Sequence, residues 1–442
     1  MAVLVVGASI LAVLVVKTIA NTRGPERRSS TGSAGWDVPA TSVEIASVIR
    51  GLQDHARALL QRDRAAWVAG VDSAPAAAAF AQREQAVFDN LADVRLSTWT
   101  YSLSSAVTST SVLHEAALRW RGRVVILHVQ LGYGFAGYDR RPARKDLWLT
   151  VVRSKAGWVL ASDSDVAASG GVSGLGPWNF GPLITAATPN SLVLAHPGQA
   201  PSIATYSALV DHSIPIVTSI WGPAWNDHVV VLIPADAQEF AAVTGQRTDN
   251  HDLAAVAIAD RVDPDSTVIG ARIVLNPETL AQLDANGRTL VIQHELTHLA
   301  TRAVTSPRAP AWLVEGFADF VGNTGSHEPV ATIAGELATA VRGGRVPAAL
   351  PTTADFNPSS TATDAALDLA AAYEQSWLAC RLIASRVGAA GLVRFYRAVN
   401  QTLSAPGPTA DQAVSAALAS VLGLTPAQFT TQWRRYLVGE LR

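Results

Sequence analysis

Val291-Ile292-Gln293-His294-Glu295-Leu296-Thr297-His298-Leu299-Ala300 is the stretch that decides how the chain is read. It lies in a helical pattern over about 288–304. Four-residue spacing puts His294 and His298 on one helix face, where two imidazole nitrogens can bind one zinc ion at about 2.0–2.1 Å. Glu295 follows the first histidine, and in this pattern its carboxylate sits beside the metal's water and can take its proton. Seventeen positions after His298 comes Glu315, within Ala311-Trp312-Leu313-Val314-Glu315-Gly316-Phe317-Ala318-Asp319. Pro307 and Pro310 break the chain between the two segments, so a second helix can start afresh and cross the first. Glu315 would then be the third protein ligand, with the fourth position open. Asp319 shares its face and can fix the tautomer of a ligand imidazole. Gly316 allows close helix approach.

The pairing of His-Glu-x-x-His with Trp-Leu-x-Glu-Gly-x-Ala resembles the gluzincin zinc metallopeptidases, and among them the peptidase-MA-like domains. The resemblance covers about 200–442 and includes Tyr373 to Ser376 and the closing Phe429-Thr-Thr-Gln-Trp433-Arg-Arg-Tyr436-Leu437. It implies zinc as cofactor, a peptide or protein as substrate, and peptide-bond hydrolysis with Glu295 as the proton acceptor. It also implies Tyr373 as a donor to the developing oxyanion, and the strand Ala271–Leu275 as the cleft edge that pairs with extended substrate. Metzincins need Gly and His where this chain has Thr301 and Val304. Their methionine turn, and the Gly-x-Met-Glu-Asn element of the gluzincin aminopeptidases, are excluded because the sole methionine is Met1. An endopeptidase is the expectation. His327, in the loop after Asn323, reads as a surface histidine. The alternative is a non-catalytic binding or scaffolding protein with a vestigial or structural zinc site. Retention of Glu295 argues against it, since metal binding alone does not require that residue.

Composition supports a chain of packed domains: 442 residues, 49% hydrophobic and 16% charged, where about 150 residues per domain gives two to three. Lys+Arg 34 against Asp+Glu 36 leaves a net charge of −2, which gives nucleic acid no footprint to bind. A single cysteine, Cys380, excludes intramolecular disulfides. The cluster Arg140, Arg141, Arg144 and Lys145 reads as a solvated hairpin tip.

The fold class is α+β in successive parts. Residues 1–20, apolar from 2 to 16, read as a transmembrane or signal-anchor segment. Lys17, Arg23, Arg27 and Arg28 follow that run, which by the positive-inside rule alone favours a cytoplasmic body. The expectation is nonetheless a single-pass protein with an extracytoplasmic catalytic domain. Residues 21–40 form a linker. Residues 41–165 read as helices (42–62 and 76–91) and then strands at about 95–107, 112–121, 124–134 and 146–162, the last with a hairpin at Ser154-Lys155-Ala156-Gly157. This order, with Gln61-Arg62-Asp63-Arg64-Ala65-Ala66-Trp67, resembles a nuclear-transport-factor-2-like cone. Residues 166–195, rich in Gly, Ser and Pro, read as a linker packed by Trp178 and Phe180. Residues 196–442 are the gluzincin-like part, a zincin-type domain with a mainly helical second half.

Overall fold

A computed structural model describes residues 36–155, 157–245, 253–356 and 363–442. The expected membrane segment lies outside the described residues.

Helix α1 (Ser42–Leu60) starts at Thr41, whose hydroxyl accepts from the Glu44 N–H while Glu44 returns a bond to the Thr41 N–H. This reciprocal cap satisfies two donors that the first turn leaves open. Helices α2 (Arg64–Ala69) and α3 (Ala78–Asn90) follow. Strands β1 (Leu96–Ala106), β2 (Val124–Phe135), β3 (Ala143–Ser154) and β4 (Gly157–Ser162) form an antiparallel meander, each paired with its sequence neighbour. The segment expected as a strand at 112–121 is instead helix α4 (Thr110–Trp120). Its buried residues Leu113, Ala116 and Ala117 recur at helical spacing, which outweighs the β-branched Val112 beside them.

Residues 166–195 do more than connect. Strands β5 (Ile184–Ala187) and β6 (Ser191–Ala195) belong to a second sheet, with β7 (Val229–Ile233), β8 (Ala255–Ile258) and β11 (Arg272–Leu275), in the order β5-β6-β7-β11-β8. β6, β7 and β11 are parallel, and β5 and β8 run antiparallel at the two edges. β9 (Arg261–Val262) and β10 (Val268–Ile269) form a small hairpin. The strand 271–275, expected at the cleft edge, is paired on both sides; the edge is β8.

This second sheet is buried on both faces, and its side chains divide by strict alternation. Val193, Val229, Val231, Ile273 and Leu275 join the helical core, whereas Leu192, Leu194, Val230, Leu232 and Val274 join the core of the first unit. Two-sided burial accounts for the unbroken apolar run Val229–Ile233. Trp178 seals the junction, edge-on to Trp99 (5.1 Å) and Tyr133 (4.9 Å), and its carbonyl accepts from Asn90 Nδ2 at 2.8 Å. Phe180, also expected to pack, is 37% exposed.

The helical core comprises α5 (Ala200–Trp221), α6 (Ala237–Thr244), α7 (Pro277–Gln282), α8 (Ala285–Thr301), α9 (Ala311–Gly322), α10 (Val330–Ile333), α11 (Gly335–Arg342), α12 (Thr363–Ser404), α13 (Ala410–Ala417) and α14 (Pro426–Leu441). Helix α12 is broken at Gly388, where φ is +74°. Its part Asp368–Ser404 is the one helix among the described residues long and apolar enough to cross a membrane, and 56% of that apolar window is buried inside the protein. It is packed as a core helix, against α9 above all.

The basic cluster at 140–145 is exposed at Arg140, Arg141 and Arg144, as expected of a hairpin tip, but the tip is also tied down. Arg141 pairs with Asp263 (2.7 Å) and with Asp265, and the Arg144 N–H donates to Asp260 (2.6 Å). Beneath them Asp139 takes two bonds of 2.8 Å from Arg272, both side chains nearly fully buried. The β2–β3 hairpin is thereby bolted to the β9–β10 hairpin. Removing one partner of a buried pair strands the other charge, at about 3–5 kcal/mol. Asp139→Ala should therefore lower stability by that order in denaturant unfolding, and Asp139→Leu with Arg272→Met should recover most of it. Equal losses in the single and double variants would refute the pairing argument.

Candidate metal centre

Helix α8 begins at Asp284, whose carboxylate accepts from the Gly287 N–H at 2.7 Å. Residues from Val291 to Thr301 are buried without interruption, so this helix is packed on every side and not merely amphipathic. Thr297 and Thr301 return their hydroxyls to carbonyls one turn back (2.7 and 2.9 Å), which makes two polar residues tolerable in that interior. Helix α9 crosses α8 at Gly322, where a Cβ would stand 3.2 Å from the Leu290 carbonyl oxygen and 3.6 Å from His294 Cβ, and on its other side Gly316 lies against α12. A Cβ there would stand 2.4 Å from the Ser376 carbonyl oxygen.

The crossing brings three donors to one point. His294 Nε2 and His298 Nε2 are 2.9 Å apart, and each is 3.4 Å from Glu315 Oε2. A four-coordinate zinc with bonds of about 2.0–2.1 Å sets its ligand atoms about 3.3 Å apart, so the triangle fits such an ion. The chemistry fits too. Asp319 Oδ1 accepts from His294 Nδ1 at 2.9 Å, which leaves the Nε2 lone pair facing the other two donors. Glu315 Oε2 is buried, and its neighbours are the two imidazole nitrogens 3.4 Å away. Electron-rich atoms crowded in this way require protons or a cation between them. Among the described residues this is the one His/Cys/Asp/Glu group able to hold a metal.

The electrostatics follow. Burial resists a charge on His294, but the hydrogen bonds to Asp319 and Glu315 outweigh it and raise its pKa well above the usual value. Burial would raise Glu315, yet His298 and His294 bring it down to about 2. Glu295 is raised by its burial, against the pull of His294 and His298. Its Oε2 accepts from the Ala257 N–H of β8 at 2.6 Å, and its buried Oε1 has no partner. One oxygen is thus anchored on the edge strand and the other is available.

A cleft of about 980 Å³ passes this point, lined by Ala257 of β8, by His298 and Arg302, and by Tyr133 and Lys145 from the first sheet. Tyr373 is buried on α12 with its ring edge-on to Phe356 (5.1 Å). His327 is exposed in its loop. The Ala257 anchor, the β8 edge and the wall from the first sheet are not foreseen from the sequence. A backbone N–H has no residue signature, and Tyr133 and Lys145 are far from His298 along the chain.

No family model and no curated protein matches the chain. Among solved structures it is similar to an M1 zinc metallopeptidase from Deinococcus radiodurans. The match to a mutant of that protein bound to a Tyr-Ser-Ala substrate has 14% identity and a TM-score of 0.35, covering 59% of this chain and 52% of that one. The match to the metallopeptidase itself has 16% identity and a TM-score of 0.34, with the same coverage. The chain spans about half the length of these structures.

Gly316→Val tests the helix crossing. The added methyls must push α9 from α12, at about 1–3 kcal/mol, and shift Glu315 relative to the histidines. Thermal unfolding should shift downward and metal uptake should weaken together; an unchanged midpoint would show that the close approach is not needed.

Proposed function

We propose that the chain is a zinc-dependent peptidase acting on internal bonds of a peptide or protein, with His294, His298 and Glu315 holding the metal and Glu295 handling the proton. The observation that carries this reading is the convergence of three buried donor atoms beside a buried carboxylate with one free oxygen. A zinc ion held there supplies a water with pKa near about 7 and polarises the substrate carbonyl. Glu295 takes the proton from the attacking water and delivers it to the leaving amine. The Ala257 N–H keeps the carboxylate from swinging away as its charge changes. Asp319 orients His294 through Nδ1. The edge of β8 is the place for an extended peptide to add as a further strand, which fits cleavage within a chain. Tyr373 is kept as the candidate oxyanion donor on the resemblance alone. We further place a nuclear-transport-factor-2-like cone in 41–165, and a single-pass anchor in residues 1–20 with the catalytic part extracytoplasmic.

Zinc content of the purified chain, paired with His298→Ala, is the direct test. About one zinc per chain, lost in the variant, is expected. Protein that is folded and takes up no added zinc would favour the binding or scaffolding alternative. Glu295→Gln should keep its zinc and lose about 10²–10⁴-fold in turnover on a peptide substrate. Full turnover in that variant would remove Glu295 from the proton transfer.

A further inference from the structure

The charge on the cleft wall is not that of the chain. Among the described residues the wall carries four basic side chains, Lys145, Arg261, Arg302 and Arg308, against one carboxylate, Asp260, while the whole chain has a net charge of −2. Two of the four have structural duties. Arg261 is held by Asp263 at 2.6 Å, and Arg308 donates to the carbonyls of Pro408 (2.9 Å) and Ala405 (2.7 Å). The side chains of Lys145 and Arg302 make no hydrogen bond or ion pair among the described residues, although both are half-buried. Burial pulls Lys145 down to about 8 and lowers Arg302 as well. Asp260 is felt by Lys145 but is shared with Arg272 and Arg261, and it accepts the Arg144 N–H.

A cation kept out of water without a partner is costly, and nothing in the packing here requires one. The two cations also sit where a bound peptide would lie. Arg302 is one turn beyond His298 with its backbone still helical, on the face that carries both histidines. Lys145 comes from β3 of the first unit and lines the same cleft as Ala257 of the edge strand. We infer that the cleft selects an acidic peptide, with Lys145 and Arg302 each placed to take a carboxylate, so that the first unit supplies part of the specificity. The inference rests on the peptidase reading for the peptide itself. The guanidinium offers paired N–H donors and the ammonium a point charge, and both suit a carboxylate. Each such carboxylate belongs either to an Asp or Glu side chain or to the peptide's own C-terminus.

The test uses the full chain carrying Glu295→Gln, which binds without cutting. It is equilibrated with a degenerate decapeptide pool, half with free and half with amidated C-termini, and the bound fraction is identified by mass spectrometry. Enrichment of Asp and Glu by about tenfold, or of free C-termini by as much, is expected and tells the two sources apart. The enrichment should fall in Lys145→Gln and in Arg302→Gln, turn towards basic peptides in Lys145→Glu, and persist in Lys145→Arg, a rescue that a misfolded cleft would not give. No carboxylate enrichment, an enrichment that both Gln variants retain, or no bound peptide at all overturns the inference. Zinc content and hydrolysis by the unsubstituted chain are read separately. Hydrolysis without a carboxylate preference sinks the inference alone, and a carboxylate preference without zinc or hydrolysis sinks the peptidase reading alone.

Discussion

The described residues are arranged around a five-stranded sheet whose inner strands β6, β7 and β11 meet water on neither face. One face is covered by the helices that carry the donor residues, the other by the first unit through Trp178 and its neighbours. At roughly 25 cal/mol per Å² of apolar surface, uncovering either face would be prohibitive. The two units are therefore one packing problem. The ionic bolts from Asp139 and Arg141 to Arg272, Asp263 and Asp265 add register to a contact whose strength is hydrophobic.

That constraint explains why a chain with so few charges places several in its interior. Helix α8 is packed on all sides, so its histidines and Glu295 have no route to solvent except the cleft. Each is held by a partner from a different element: Asp319 on α9 for His294, and the Ala257 N–H on β8 for Glu295. Gly322 lies against Leu290 and His294 on α8 and Gly316 against Ser376 on α12, so α9 is held between the two helices with Glu315 beside the imidazoles. Precision at the donor triangle is a product of helix packing, not of the three residues by themselves.

Legibility in the sequence followed range. The proximity of His294, His298, Glu315 and Asp319 could be read because it depends on helical spacing and one proline-marked turn. The helix 285–301 and the strand 229–233 were readable from periodicity and from an apolar run. Misreadings came where local pattern was ambiguous or partners were remote. Thr110–Trp120 mixes β-branched and helical signals. Strands β5 and β6 sit in a stretch whose glycines suggest only a connection, and β11 lost its place as the edge to β8 through pairings that no local pattern encodes. The basic cluster is exposed as it reads, but its acidic partners lie more than a hundred residues downstream and leave no local signal.

The 2.9 Å approach of the two Nε2 atoms has a consequence of its own. Without a metal, the cluster must recruit a proton to quiet the repulsion between its lone pairs, and His294 is the group set to hold it. Ion and proton are thus rivals for one small space. Loading an ion there would expel hydrogen ions to the medium, and acidification would unload it by mass action. The acidity of the surroundings becomes part of the affinity, so occupancy reports where the chain resides as much as how much metal is present.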